Sequence, residues 1–226
     1  MNTQQPTTLA ESRKAPIEVG SGDWLDGTVK YKTIVADPPW HVGRGPEWSS
    51  NGKSRPLTYP TMTLDAIAAL PVKEHADKGA HLYLWTINKY IEQTYAIARA
   101  WGFEPSTLLT WCKPRHGIGL GGTYSLTTEH CLFARRGSCA AQRRIDSTWW
   151  EWSRGAHSAK PEAFQDMVES VSPGPYLELF ARRTRLGWHT WGNQALCHVN
   201  LVPSNIPSSA TPQAGLEPRK RNGGEQ

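Results

Sequence analysis

The chain has 226 residues with a formal net charge of +5, and 38% of its residues are apolar. This length and apolar content predict one folded domain and exclude a wholly disordered chain. No apolar run is long enough for a transmembrane helix and the first residues lack the apolar core of a secretory signal, so we expect a cytoplasmic protein with no membrane partner. The four cysteines form no CxxC pair, and we predict neither a disulfide framework nor a metal site.

The alternation of strand-like and helix-like segments predicts an α/β domain with a mostly parallel sheet flanked by helices. Short β-branched and aromatic runs indicate the strands, and apolar residues three and four positions apart indicate the helices. In chain order, the predicted elements are a strand at Thr33–Ala36, a helix at Thr63–Leu70, a strand at His81–Trp85, a helix at Lys89–Trp101, strands at Thr107–Trp111 and His130–Ala134, a helix at Pro161–Val171, and strands at Tyr176–Phe180 and Trp188–Trp191. Such sheets bind ligands beyond the carboxyl ends of their strands, so we expect functional residues directly after strands.

Two polar segments flank the predicted domain. Residues 1–16 carry no hydrophobic periodicity, and residues 203–226 combine four prolines with a basic cluster. Both compositions are typical of disordered tails. Residues 17–202 are therefore predicted to form the folded domain.

The tetrapeptide Asp37-Pro38-Pro39-Trp40 directly follows the first predicted strand. Its prolines fix φ and offer no backbone N–H, so the turn is stiff and presents acceptors, the Asp37 carboxylate and the Pro38 carbonyl. Trp40 adds a flat aromatic face. Such a turn suits a planar heterocycle with an NH2 group, and it can hold an exocyclic amine such as adenine N6 for methylation. The alternative is a turn that only ends a strand.

Eight segments, in order from about residue 31 to residue 194, carry a family resemblance. They are YKTIVADPPW, LTYPTMTLDAIAALPV, HLYLWTIN, LLTWCKP, TTEHCLFARRG, HSAKPEAF, PYLELFARR and GWHTWGNQ. Together they resemble the N6-adenine methyltransferase family that includes the catalytic subunit of the eukaryotic messenger-RNA adenosine methyltransferase. The resemblance implies a Rossmann-like methyltransferase fold with permuted motif order, in which the catalytic turn precedes the cofactor strand. It also implies S-adenosyl-L-methionine (SAM) as the cofactor.

The resemblance implies roles for individual positions. Asp37 matches the aspartate that touches both the cofactor amino group and the target amine, and Pro38, Pro39 and Trp40 complete the catalytic motif. The other implied cofactor-binding residues are Lys160, near the cofactor carboxylate, and Arg182, Asn193 and Gln194, at the ribose hydroxyls. Arg185 stands where eukaryotic relatives have an asparagine that contacts the ribose, so the resemblance leaves that contact open.

Three aromatic residues are candidates for binding the target base. Tyr59 matches a tyrosine of the family's substrate loop, with ordinary packing as the alternative. Trp85 and Trp111 end predicted strands and are placed to line a base pocket, with core packing as an equal alternative for each.

Two further features are open to two interpretations. Between Arg143 and Arg154 the sequence interleaves arginines with Trp149, Trp150 and Trp152, which is typical of base stacking with phosphate contact or of a buried cluster beside solvated arginines. Glu129 matches a family position near the active site, and a salt bridge explains it equally well.

The leading hypothesis is a SAM-dependent N6-adenine methyltransferase that acts on DNA. The chain has no zinc-finger extension, and its compact size is similar to that of bacterial and phage members of the family. The alternatives are N6-adenosine methylation of RNA, a non-catalytic nucleic-acid-binding subunit of a methyltransferase complex, and methylation of a free nucleotide. Assembly into homo- or hetero-oligomers is compatible with each of these.

Overall fold

The computed structural model describes residues 29–41, 61–114, 123–153, 159–199 and 201. These residues form a sheet of seven strands with short helices on both faces. In chain order the elements are β1 (Tyr31–Ala36), α1 (Leu64–Ala68), α2 (Val72–His75), β2 (Ala76–Thr86), a 3-10 turn (Asn88–Tyr90), α3 (Ile91–Ala100), β3 (Glu104–Cys112), β4 (Thr128–Arg136), β5 (Trp149–Glu151), α4 (Glu162–Val171), β6 (Tyr176–Leu179) and β7 (Trp188–Trp191). Both predicted tails lie outside the described residues.

The strand order in the sheet is β5-β3-β4-β2-β1-β6-β7. Every neighbouring pair is parallel except those of β4, which runs antiparallel to both β2 and β3. Six strands therefore end at one edge, which we call the carboxyl edge, and begin at the opposite, amino edge. The prediction of a mostly parallel α/β sheet is confirmed.

The two faces of the sheet pack against different helices because side chains alternate along each strand. Ile34 and Leu84 point toward α1 and α3 and join the larger core cluster. Val35 and Trp85 point to the other face, where Phe164 of α4 covers them. Both central strands are thus buried on both faces, as their apolar sequences require.

Local signals place the helices. The Thr63 hydroxyl accepts a hydrogen bond from the Ala66 N–H at 3.1 Å and so caps α1, as its sequence position predicts. Gly102 adopts φ +79° just past α3, a left-handed conformation that favours glycine and ends the helix. The predicted helix at Pro161 begins one residue later, with Pro161 as the flanking residue.

The structure adds two elements to the prediction, α2 and the edge strand β5. No helix within the described ranges combines the length and the apolar character needed to cross a membrane.

Candidate active site

The DPPW turn lies at the middle of the carboxyl edge, directly after β1. The Asp37 N–H donates to the Leu179 carbonyl at 3.4 Å, and the Trp40 N–H donates to the Pro38 carbonyl at 2.8 Å. The Met62 N–H donates to the Pro39 carbonyl at 3.0 Å. The turn is therefore bonded both to β6 and to the chain before α1, and this fixes the position of the Asp37 carboxylate.

Trp40 supports this turn from within the core. Its ring is 5% exposed and stacks on Tyr90, with 5.5 Å between ring centres, and its Nε1 donates to the Trp85 carbonyl at 3.2 Å. The prediction that Trp40 offers a flat face to a ligand is corrected by this packing. The motif places the residue at the site, but the ring anchors the turn because the core takes its large apolar surface.

Lys160 brings together the two acidic side chains of the site. Its ammonium donates to both carboxylate oxygens of Asp37 at 2.8 Å and lies 3.2 Å from Glu129 Oε2. Lys113 forms an ion pair with the other Glu129 oxygen. Four alternating charges thus form one chain across the ends of β1, β3 and β4, and the salt-bridge interpretation of Glu129 describes its contacts.

The mutual pairing dominates the ionisation of this cluster. Burial opposes the charged form of Lys160, but the Asp37 and Glu129 carboxylates outweigh it and raise the pKa of the ammonium. Burial likewise opposes ionisation of Glu129, but Lys160 and Lys113 outweigh it and lower the pKa of that carboxyl. The site therefore keeps a charged Lys160 ammonium beside an ionised Glu129 at neutral pH.

Two clefts meet at Asp37. The first, which we call the lysine cleft, is lined by Asp37, Trp85, Lys160, Phe164, Gln165 and Glu178, among others. The second, which we call the amide cleft, is lined by Asp37, Pro39, Met62, Trp191, Asn193 and Gln194, among others. Phe180 and Arg182 line both. With their open mouths included, the clefts enclose about 530 and about 640 Å³.

The residues at the boundary of the clefts follow β6 directly. Phe180 has φ +63°, a left-handed conformation that side chains other than glycine rarely adopt. The Ala181 N–H then donates to the Trp191 carbonyl at 3.0 Å. This reversal turns the chain between the clefts and brings Arg182 to both. Such strained positions cluster at functional sites.

Glu178 is a cleft residue that the sequence analysis missed. It belongs to β6, and its carboxylate accepts a hydrogen bond from Gln165 Nε2 at 2.8 Å. Burial raises the pKa of Glu178 to about 7, and the nearby Asp37 charge acts in the same direction against the opposing Arg183 and Arg185. An acidic residue in an otherwise apolar strand was the available signal.

Trp85 and Trp111 have different positions relative to the clefts. Trp85 lines the lysine cleft, and the Lys160 ammonium lies 5.0 Å from its ring centre. Trp111 packs behind it, edge to face at 6.2 Å, in a closed aromatic cluster with Trp150 and Trp152. Trp85 is therefore both a core residue and a lining residue of the lysine cleft, whereas the described contacts of Trp111 are those of the core.

The three tryptophans between Arg143 and Arg154 also differ, since some rings are packed and one is exposed. Trp150 and Trp152 stack on each other, with 5.3 Å between ring centres and 6° between planes, while Trp149 is 60% exposed. The Gln142 N–H, just before Arg143, donates to Val171 at the end of α4 near the amino edge. The packed-cluster interpretation thus describes two of the three rings.

Of two further positions from the sequence analysis, Arg185 lies against α4 and Tyr59 lies outside the described residues. Arg185 donates to Glu169 at 2.8 Å and to Asp166 at 2.6 Å, so its guanidinium is held against α4. The described contacts of Arg185 are therefore those of a structural ion pair. Among the side chains that the structure describes, no group of three His, Cys, Asp or Glu residues is placed to hold a metal ion.

Comparison with known proteins assigns most of the described domain to one family. The MT-A70 family model matches residues 31–194, which include the DPPW turn, Lys160 and the Asn193-Gln194 pair. The chain is 30% identical over 182 residues to the type II methyltransferase M.MunI of a Mycoplasma species, covering 72% of this chain and 77% of that protein. It is 28% identical over 195 residues to the N(6)-adenosine-methyltransferase catalytic subunit METTL3 of Homo sapiens, covering 81% of this chain and 31% of that protein.

A third relative is the N6-methyladenosine RNA methyltransferase MTA1 of Cryphonectria parasitica, 25% identical over 181 residues, with 74% of this chain and 52% of that protein covered. The chain spans about a third of the length of METTL3 and of a plant MT-A70-like relative from Medicago truncatula.

Proposed function

Because the chain belongs to the MT-A70 family of N6-adenine methyltransferases, which use SAM, we propose that it methylates N6 of adenine in DNA. The observation that carries the proposal is the position of Asp37, whose carboxylate lies where the lysine cleft and the amide cleft meet. A single acceptor at this boundary is within reach of ligands in both clefts. The proposal places the enzyme in the cytoplasm, where its nucleic acid is found.

The side chains of the clefts fit SAM chemically. The Lys160 ammonium suits its carboxylate, and the acidic Asp37 and Glu178 suit its ammonium. Asn193 and Gln194 supply amides that both donate to and accept from ribose hydroxyls, and Arg182 lies beside them on the amide cleft. When bound, SAM supplies an electrophilic methyl group on a sulfonium.

In this proposal Asp37 holds the target amine. The N6 lone pair of adenine is delocalised into the ring, so the amine is a weak nucleophile. A carboxylate that accepts one N6–H, with the Pro38 carbonyl as a second acceptor, orients that lone pair out of the ring system. As N6 gains the methyl group it carries positive charge, which the Asp37 carboxylate stabilises until one of the two original protons leaves.

The choice of DNA rests on the relative that this chain matches in length. M.MunI is covered over 77% of its sequence, and the designation type II is used for enzymes that modify DNA. RNA is the second candidate, because MTA1 is named as an RNA methyltransferase and also matches.

The test is methyl transfer from labelled SAM to adenine-containing DNA and RNA oligonucleotides of the same sequence, single-stranded and duplex. Nuclease digestion and mass spectrometry should detect N6-methyladenine in DNA. Asp37→Asn should lower kcat by at least about a hundredfold, because the isosteric amide removes the charge that stabilises the amine. Product in RNA alone would overturn the choice of DNA. No product on any substrate, with no calorimetric heat from SAM, would identify a non-catalytic subunit instead.

A further inference from the structure

The indole N–H of Trp85 is a buried donor for which the protein supplies no acceptor. Among the side chains that the structure describes, Trp85 Nε1 and Gln93 Oε1 are the buried polar atoms without a hydrogen-bond partner. Trp85 is 2% exposed. Buried donors are nearly always paired in folded proteins, so such an exception indicates a functional constraint or an additional ligand.

The other buried tryptophans in the described ranges all pair this group. Trp40 Nε1 donates to the Trp85 carbonyl at 3.2 Å and Trp101 Nε1 to the Ile67 carbonyl at 3.0 Å. Trp111 Nε1 donates to the Trp152 carbonyl at 2.9 Å, and Trp188 Nε1 donates to the Glu169 carboxylate. The orphan N–H is therefore specific to the one buried tryptophan that lines the lysine cleft.

The neighbours of Trp85 explain why its N–H stays unpaired. Lys160, over the ring, is a donor with no acceptor capacity. Phe164 lies 4.6 Å away between ring centres and Trp111 lies 6.2 Å away, and aromatic rings are only weak acceptors. None of these neighbours is a strong acceptor, and Trp85 lines the lysine cleft, so a ligand of that cleft can supply one.

The register of the sheet places this donor beside the acceptor Asp37. Ala36 of β1 pairs with Leu84 of β2, so Asp37 and Trp85 follow side by side at the carboxyl ends of neighbouring parallel strands. Both line the lysine cleft, and the Lys160 ammonium contacts both. The Asp37 carboxylate and the Trp85 indole, whose N–H is unpaired, therefore lie on neighbouring strands at the same cleft.

We propose that the Trp85 N–H donates to a ring nitrogen of the target base while Asp37 accepts from the neighbouring amine, so that Trp85 is a specificity-determining residue. This inference rests on the proposed function. Adenine carries N6 between two ring acceptors, N1 and N7, and matches such a pair on either edge. Thymine has no amine, and guanine places an N–H beside its amine on the Watson–Crick edge, whereas cytosine, whose N3 lies beside its N4 amine, matches the pair as adenine does.

The test replaces single ring nitrogens of the target base by C–H. Oligonucleotides carry adenine, 1-deazaadenine or 7-deazaadenine at the methylated position, and kcat/KM is measured for wild type, Trp85→Phe and Trp111→Phe. Wild type should lose about tenfold on one of the two analogues, because the buried N–H is left without an acceptor. Trp85→Phe should lose about tenfold on adenine and no longer distinguish adenine from that analogue. Trp111→Phe, the matched control, should discriminate like wild type.

Two results would overturn the inference. The first is that the wild-type protein methylates both analogues as efficiently as adenine. This result needs no variant, so it stands even if Trp85→Phe fails to fold. The second is that a folded Trp85→Phe protein still distinguishes adenine from the deaza analogue as wild type does. Absence of methylated adenine with wild type on every oligonucleotide is a different result, because it contradicts the proposed function itself.

Discussion

At the amino edge of the sheet three buried polar side chains form a closed hydrogen-bond network, whereas at the carboxyl edge several polar side chains that pair with one another also line clefts. The Ser172 hydroxyl is hydrogen-bonded to both His81 Nδ1 and the Tyr83 hydroxyl at 2.8 Å, and His81 Nε2 is bonded to the Cys139 carbonyl at 3.1 Å. Burial lowers the pKa of His81, so the ring is neutral in this closed network. Its polar groups therefore contribute to the stability of the fold.

At the carboxyl edge the same sheet keeps charges and an unpaired donor. Lys160, Asp37 and Glu178 line a cleft, and the Trp85 N–H has no acceptor among the described residues. Polar groups that are buried without complete pairing reduce stability, and they persist where a ligand completes them. The difference separates residues whose substitution should affect folding from residues whose substitution should affect binding.

The largest expected effect on ligand binding distinguishes two lysines of similar surroundings. Lys160 and Lys113 both pair with Glu129 and both lie over a tryptophan ring, but Lys160 is the one that contacts Asp37. Lys160→Gln should weaken SAM binding by about thirtyfold, measured by calorimetry, because a charge-assisted contact to the carboxylate is lost. Lys113→Gln should change it by less than about threefold. Equal losses in the two variants would show that the whole charge chain binds as a unit.

The second prediction concerns the amino edge. Ser172→Ala should lower the free energy of unfolding by about 2 kcal/mol, because it leaves His81 and Tyr83 without their shared partner. SAM affinity should be unchanged. Ser170→Ala is the matched control, since among the described residues the Ser170 hydroxyl donates to the Met167 carbonyl of its own helix. A Ser172→Ala protein with full stability and weakened SAM binding would reverse the assignment of the two edges.

The third prediction is a pH dependence that arises from Glu178. Its pKa is raised by burial from an ordinary 4.5 to about 7, so the folded state binds the proton more tightly than the unfolded state. This contribution to stability is fully present below the unfolded pKa and is lost as the pH rises through about 7.

Between about pH 5 and pH 8, wild type should therefore lose about 2 to 3 kcal/mol of unfolding free energy relative to Glu178→Gln. Urea unfolding at both pH values measures it. The control is Glu162→Gln, because Glu162 is an exposed partner of Arg183. Parallel pH profiles for wild type and Glu178→Gln would show that Glu178 is not the group responsible.

The central strands and the main helices were predictable from sequence because their signals are local. Local structure follows from residues close in sequence: the apolar run forms β1, Thr63 caps α1, and Gly102 ends α3. The edge strand β5 was not predictable in this way, since Trp149–Glu151 has only three residues and forms by pairing with β3. The direction of β4 was equally hidden, because a pattern of buried residues reads the same along a strand in either direction.

The candidate site shows a similar division. The motif pointed to Asp37 and Lys160, and the structure brings them together. The sequence misassigned the Trp40 face because the burial of a ring depends on which distant residues surround it, here Tyr90 and Trp85. Glu178 was hidden inside a strand whose apolar neighbours define the pattern. The burial of Trp40 and the position of Glu178 depend on residues distant in sequence, which residue type alone does not give.

The antiparallel direction of β4 makes the connection from β3 a hairpin that opens at the carboxyl edge. Its ends are fastened together, since the Lys113 N–H donates to the Thr127 carbonyl at 2.7 Å. Glu129 thereby reaches the site from the beginning of a strand, while Asp37 follows the end of β1. The hydrogen bond between Lys113 and Thr127 therefore holds the end of β3 against the beginning of β4, and so fixes the register of the two strands beside Glu129.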